Sequence, residues 1–349
     1  MKNILIITQK VNAKDDLLGF FVGWLHEFSK NFEKVFVITL EKGAYELPKN
    51  VFVYSLGKEN SNLKIARALT FYKLLFQLVP KTDGVFAHMS PVFAIASWPV
   101  AVLYRKRIIL WYLHRSVTGR LKLAEKLCYK IVTASKESLK LISSKVIEIG
   151  HGIQVEQFKT VRNWPNKKLE ILSVGRISRI KDYETLLEAA KILKDKDLNF
   201  QVKIVGQPIM VPDFKYQKLL VSLQEKLELK DVVEFVGFVP YSQMVRYYKE
   251  TDLVIGLTPY GGIDKVILEG MASGCLVLTS NEANRRYFGH YADNLIFNHH
   301  DSVHLAHKIE SLNCMPAEQK KEMSEFLVRS VEQNHNLTNL INRISKLYE

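Results

Sequence analysis

The sequence predicts an α/β protein built from two doubly wound sheets, and three observations predict it. Short apolar runs of strand length alternate with segments of helical periodicity along nearly the whole chain. The 349 residues are enough for about two domains of ordinary size, each with its own core. A hydrophobic fraction of 47% beside 24% charged residues is the composition of a folded globular chain.

In the first half, strands are predicted at Asn3–Thr8, Lys34–Leu40, Val51–Leu56, Gly84–Ala87, Arg107–Tyr112, Ile131–Ala134 and Val146–Ile149. Helical patterns fall between them at about Leu18–Asn31, Leu63–Leu78, Val92–Tyr104 and Leu121–Tyr129. Gly150-His-Gly152 and a polar stretch with Asn163, Pro165 and Asn166 then mark a link, which puts the first domain at 1–160 and the second at 161–335. The second strand series is Glu170–Val174, Phe200–Val205, Val232–Val236, Asp252–Leu257, Leu276–Thr279 and Asn294–Phe297. A last helix spans about Leu337–Tyr348. Val85–Tyr104 has the length of a membrane span, but His88, Ser90, Pro91, Ser97 and Pro99 within it point to a strand, a loop and a buried helix. No fixed-period repeat is apparent.

Two stretches carry chemistry. In Tyr260–Leu278 a glycine turn leads into a helix at about Asp264–Ala272, and Gly274 ends it before another strand. The start of such a helix presents N–H groups and partial positive charge, which favour an anion at Gly262, Ile263, Asp264, Lys265 and Val266. Glu269, further along, suits ribose hydroxyls if it faces the same cleft; the alternative is a crossover whose glycines serve only tight packing. In Leu169–Lys181 a strand is followed by a loop carrying Arg176 and Lys181, with Asp182 as the expected N-cap of the next helix. Cations at the carboxyl end of a strand in an open α/β sheet sit where such sheets bind ligands and can stabilise the charge on a departing diphosphate. A solvated basic loop is the plainer alternative.

Together these stretches resemble the retaining glycosyltransferases of family 4, which have the GT-B architecture. Val174-Gly-Arg-Ile-Ser-Arg-Ile-Lys181 is similar to the Val-Gly-Arg-Leu…Lys signature of that family, and Leu268-Glu-Gly-Met-Ala-Ser-Gly274 to its Leu-Glu-Ala-Met-Ala-x-Gly. The resemblance implies two Rossmann-like domains facing each other across a cleft, with the segment 336–349 returning to the first. It implies that Arg176 and Lys181 bind the diphosphate of a nucleotide sugar and Glu269 its ribose. It also implies that Gly19, within Leu17-Leu-Gly-Phe-Phe21, lets an acceptor-side loop approach the donor phosphate, and that His114, at the end of Trp111-Tyr-Leu-His114, lies near the donor sugar. A lone histidine is as readily structural, and His88 and His151 carry less weight.

One departure stands out. The family pattern places another glutamate eight positions before the one matching Glu269, and that position here is Gly261. Three readings stay open: Asp264 or the backbone at Gly262 and Ile263 contacts the sugar instead, the donor is unusual, or turnover is impaired. The resemblance further implies a retaining hexose transfer with the leaving phosphate as base. No Asp-x-Asp stands near a strand end, so no metal and no cofactor beyond the co-substrate nucleotide sugar are expected.

Partners follow from charge. With 49 Lys and Arg against 36 Asp and Glu the net charge is +13. Lys64, Arg67 and Lys73 share a helix with Leu63, Ile65, Leu69, Phe71, Leu74, Leu75 and Phe76, and Arg105-Lys-Arg107 joins Arg115, Arg120, Lys122, Lys126 and Lys130 in a second cluster. An anionic membrane surface suits both, as does a lipid-linked or polysaccharide acceptor in cell-envelope synthesis, while an ordinary amphipathic helix explains the first alone. Nucleic acid is disfavoured, because no binding motif accompanies the charge. Cys128, Cys275 and Cys314 show neither metal-ligand spacing nor a paired framework, and no signal peptide is visible. A cytoplasmic protein, peripheral on the inner face of the cell membrane, is the expectation. A non-catalytic nucleotide-binding subunit of the same fold remains the alternative. A dinucleotide oxidoreductase is disfavoured by the lack of Gly-x-Gly-x-x-Gly after a first strand.

Overall fold

The computed structural model describes residues 2–15, 18–60, 63–162, 164 and 168–349. They form two compact units, one of Met1–Gln154 with Asn336–Glu349 and the other of Val155–His335.

The first unit is built on β1 (Asn3–Val11), β2 (Lys34–Lys42), β3 (Val51–Ser55), β4 (Gly84–His88), β5 (Arg107–Trp111), β6 (Lys130–Thr133) and β7 (Val146–Glu148). These pair in the order β3-β2-β1-β4-β5-β6-β7, all parallel. Side chains alternate across a strand, so β1 feeds two cores. Leu5 and Ile7 pack with residues of α2 (Lys64–Leu78), α3 (Pro91–Leu103) and α4 (Gly119–Leu127), while Ile4 and Ile6 pack with Phe21, Leu25 and Phe28 of α1 (Phe21–Asn31). Burial on both faces is why these strands read as continuous apolar runs. β1 extends beyond the expected Thr8 because Lys10 is paired there with Asp15 at 2.9 Å and Glu41 at 2.6 Å. Among the described residues no helix is long and apolar enough to cross a bilayer; the Val85–Tyr104 run divides between β4 and α3.

The second unit contains α5 (Val155–Phe158), β8 (Leu169–Val174), α6 (Tyr183–Asp195), β9 (Phe200–Val205), α7 (Val211–Lys226), β10 (Val233–Gly237), α8 (Tyr241–Lys249), β11 (Leu253–Gly256), α9 (Lys265–Ala272) and β12 (Leu276–Thr279). α10 (Arg285–Phe288), α11 (Ala292–Leu295), α12 (Ser302–Cys314) and α13 (Ala317–His335) complete it. Its sheet runs β10-β9-β8-β11-β12, again parallel, with α6 packed on α12 and α9 on α13.

Two expectations are corrected. Asn294–Phe297 is not a strand: its first residues complete the helical turn of α11, and only an isolated bridge joins Ile296 to Thr279. The division between units falls at Gln154/Val155, not at 160/161, because α5 packs on α8 and α9, with the Phe158 ring edge-on to Tyr248 at 5.5 Å. Gly150-His-Gly152 therefore lies inside the first unit, and Asn163, Pro165 and Asn166 fall outside the described residues.

The chain ends in α14 (Leu337–Lys346), which belongs to the first unit. Leu337, Leu340, Ile341 and Ile344 recur at helical spacing and join the core beside α1, and the Tyr348 hydroxyl donates to the Val85 carbonyl at 2.8 Å. Ile341→Ala is expected to destabilise the protein by about 2–5 kcal/mol, the cost of a large-to-small change in a closed core. Urea titration monitored by circular dichroism measures it, and a loss under ~1 kcal/mol would contradict this docking.

Candidate functional site

In the second unit the strand after β8 is β9 on one side, and the strand after β11 is β12 on the other. The connecting helices α6 and α9 therefore leave the sheet in opposite senses, which opens a crevice at the carboxyl ends of β8 and β11. Parallel pairing sets Leu253 beside Ile171 and Val254 beside Leu172, and the Ser173 hydroxyl donates to the Ile255 carbonyl at 2.9 Å. Both loops singled out in the sequence thus begin at one place, though some eighty residues separate them.

The first loop, Gly175–Lys181, is held by its own flanks. The Tyr183 hydroxyl donates to the Gly175 carbonyl at 3.1 Å, and the Tyr183 amide donates to the Tyr216 hydroxyl at 3.0 Å. Arg176 is exposed, with Nε 3.6 Å from the Asp213 carboxylate at the start of α7. Lys181 has its Nζ 2.8 Å from Oδ2 of Asp264, and its side chain is 18% exposed. Asp182 occupies the N-cap of α6 as expected, but its side chain makes no capping bond: its backbone is left-handed at φ 45°, and its carboxylate accepts from the Thr185 hydroxyl at 2.8 Å.

The second loop reaches α9 through the glycines. Gly261 has φ +121°, a conformation that L side chains rarely adopt, while open space surrounds the position of its missing Cβ. Backbone conformation, not crowding, excludes a glutamate there. The Asn281 side-chain amide donates to the Gly262 carbonyl at 3.1 Å, and Ile263 is buried beneath the turn. Asp264 occupies the N-cap of α9, yet its side chain makes no capping bond; it turns to Lys181, with the Thr258 hydroxyl at 3.4 Å. Lys265 and Val266 open the helix, both half-buried.

Glu269 lies one turn along α9 from Lys265, only 5% exposed, and accepts from the Tyr248 hydroxyl at 2.7 Å. Tyr241 bonds the same carboxylate. Burial raises the Glu269 pKa, opposed by the Tyr248 bond and the charge of Lys265, and burial lowers that of Lys265 to about 8, opposed by Glu269. Burial, then Glu269, pushes both phenols well above their usual range. The carboxylate is thus engaged from within its own unit.

In the first unit Gly19 and His114 both follow strands of one parallel sheet, at its carboxyl edge. Gly19 is buried in the turn before α1, its amide on the Asp15 carbonyl at 3.1 Å, and that carbonyl occupies the place a Cβ would need. The turn itself therefore demands glycine. Leu17 beside it lies outside the described residues. His114 is exposed, and its Nδ1 accepts from the Ser116 amide at 3.0 Å. His88 is a core residue: Nδ1 is 3.0 Å from the Thr8 hydroxyl and its ring stacks on Phe21 at 4.0 Å.

Sequence reasoning missed Asp213, Tyr241 and Tyr248. The signal for the tyrosines was present in Tyr241, Met244 and Tyr248, whose spacing of three and four puts them on one face of a helix.

Residues 154–326 match the family described as Glycosyl transferases group 1. That match lies almost wholly within the second unit. The chain is 31% identical over 142 residues to the amylovoran biosynthesis glycosyltransferase AmsK of Erwinia amylovora, a match covering 38% of this chain and 33% of that one. An uncharacterized glycosyltransferase of Haemophilus influenzae is 28% identical over 256 residues, 69% of each chain. Anabaena Alr3699/HepE, solved in complex with UDP and glucose, superposes over 99% of both chains with a TM-score of 0.77 at 16% identity. The chain has the GT-B fold. Its match spans only about a third of the length of the AmsK relative.

With a folded pKa above the unfolded one, Glu269 binds its proton more tightly in the native state. Its contribution is most favourable at pH below the unfolded value, and stability falls as pH rises through the folded one. Lys265 stays protonated in both states below about 8, so it adds no slope there. Glu269→Gln should flatten the stability profile on the alkaline side of pH 4.5, measured by urea melts, whereas an unchanged slope would place the titration elsewhere.

Proposed function

We propose that the protein is a retaining, metal-independent glycosyltransferase that moves a hexose from a nucleotide-diphosphate sugar to a lipid-linked or polysaccharide acceptor. The observation that carries this reading is the meeting of Lys181 with Asp264 at the amino end of α9, on the loop that also bears Arg176, at the switch point of a unit that matches the Glycosyl transferases group 1 family. A guanidinium, an ammonium and helix amides form a complementary environment for a diphosphate, in the ground state and more so as charge grows on the leaving group.

In this mechanism Arg176 and Lys181 bind the diphosphate with the backbone of Gly262–Val266, and Glu269, oriented by Tyr248, meets the ribose. The leaving phosphate takes the proton of the acceptor hydroxyl, so no pair of catalytic carboxylates is needed. The diphosphate and Asp264 compete for one ammonium, since Lys181 is already 2.8 Å from that carboxylate. The similarity to AmsK, a glycosyltransferase of amylovoran biosynthesis, supports a polysaccharide acceptor class.

Membrane attachment belongs to the same reading. Ile65, Leu69 and Phe76 of α2 are exposed on a helix that also carries Lys64, Arg67 and Lys73, an arrangement suited to an anionic lipid surface on the cytoplasmic side. The wild type is expected to float with phosphatidylglycerol vesicles and not with phosphatidylcholine ones, and Leu69→Asp to lose that binding; equal flotation of both would remove α2 as the contact.

A second reading, a nucleotide-binding subunit without turnover, is favoured by Gly261 where the family has a carboxylate. Isothermal titration with UDP-, GDP- and ADP-sugars, followed by product analysis, separates the two. Binding with sugar release or transfer supports the enzyme, binding alone supports the subunit, and no binding ends both. Arg176→Ala and Lys181→Ala are each expected to cut transfer by about 10²–10³-fold, as loss of one charge-stabilising donor does, with the melting temperature preserved.

A further inference from the structure

We propose that Asp182, His299 and His300 form a zinc site in the second unit, apart from the groups assigned to the nucleotide sugar. His300 Nδ1 lies 3.0 Å from one oxygen of Asp182, and His299 Nε2 lies 3.6 Å from the other. The ligand atoms of all three residues fall within 4.8 Å of one another. Bonds of about 2.0–2.2 Å to nitrogen and oxygen in a tetrahedron separate neighbouring ligand atoms by roughly 3.3 Å. The His300 contact already has nearly that separation, and a turn of the His299 ring toward the same oxygen completes the set, leaving the other Asp182 oxygen to the Thr185 hydroxyl. Two imidazoles and one carboxylate are a borderline donor set suited to Zn²⁺, with the fourth position left to water.

The surroundings fit a ligand set as well. The Asp182 side chain is 6% exposed and is oriented by the Thr185 hydroxyl at 2.8 Å, the kind of outer contact that fixes a ligating carboxylate. His299 is 32% and His300 68% exposed, which leaves the ion a way in from solvent. The basic neighbours of Asp182 are engaged elsewhere, Lys181 with Asp264 and Arg179 with Glu184. The turn that bears the histidines is anchored by Asp301, which caps α12 through the His304 amide at 2.8 Å. Both Asp182 and His300 hold left-handed backbones, at φ 45° and 58°. The metal therefore fastens the amino end of α6, directly after Lys181, to the turn that opens α12.

The test uses the tag-free full chain at about pH 7.5, where unperturbed imidazoles are largely neutral and free to ligate. Titration with Zn²⁺ should give one saturable site and a rise in melting temperature, and Co²⁺ should give the visible absorption of a tetrahedral nitrogen/oxygen site. His299→Gln and His300→Gln should each weaken Zn²⁺ by more than about tenfold, and Thr185→Val by about 10-fold through the freed carboxylate. His307→Gln, an exposed histidine outside the cluster, should leave the affinity unchanged. His300 is exposed, so its variant is expected to keep the metal-free melting temperature. No saturable binding, or equal binding by wild type and both histidine variants, overturns the site.

Discussion

The parallel pairing of β8 with β11 is the constraint on which the second unit depends. Once Ile171 lies beside Leu253 and Ser173 is bonded to the Ile255 carbonyl, the loops that follow have nowhere to begin but side by side. Each then needs a different local device. The first is braced by Tyr183 and Tyr216, and the second by the backbone freedom of Gly261 and the Asn281 clasp on Gly262. The ion pair between Lys181 and Asp264 is the product of this convergence, not its cause, because it bridges ends already positioned by main-chain hydrogen bonds.

Asp264 illustrates how one carboxylate chooses among partners. At an N-cap it competes for the first amides of its helix, a contact generally worth about 0.5–2 kcal/mol. Here the side chain has turned to an ammonium and leaves the helix start without its own cap. That exchange keeps positive potential at the opening of α9 while holding Lys181 in a defined place. Glu269 makes the opposite choice, drawn inward by Tyr248 and Tyr241, so the two acids of one short helix serve different surroundings.

Much of this was legible in the sequence because a doubly wound parallel sheet writes its strands as unbroken apolar runs. The expected first-unit strands agree with the observed ones to within three residues, and β1 overruns its expected end only because Lys10 is neutralised by two acids that strand periodicity does not reveal. The Asn294–Phe297 error arose where a short apolar run carries no periodicity to distinguish a strand from a helical turn. Site chemistry was half legible. The glycine turns and basic loop announce themselves by residue type, whereas the inward orientation of Glu269 and the turn of the Asp182 carboxylate away from the helix amides depend on partners distant in sequence. The spacing that sets Tyr241 and Tyr248 on one helix face does not say which acid they engage, and His300 lies over a hundred residues from Asp182.

The placement of α14 has a consequence for how the molecule is made. The first unit consists of residues from either side of the second, which is threaded whole between them. During synthesis the second unit emerges complete and is free to fold as soon as its last helix leaves the ribosome. The earlier-made sheet must wait, one apolar face beside α1 uncovered, until residues 337–346 arrive to close it. The core beside α1 is therefore completed only after every residue of the second unit has been made.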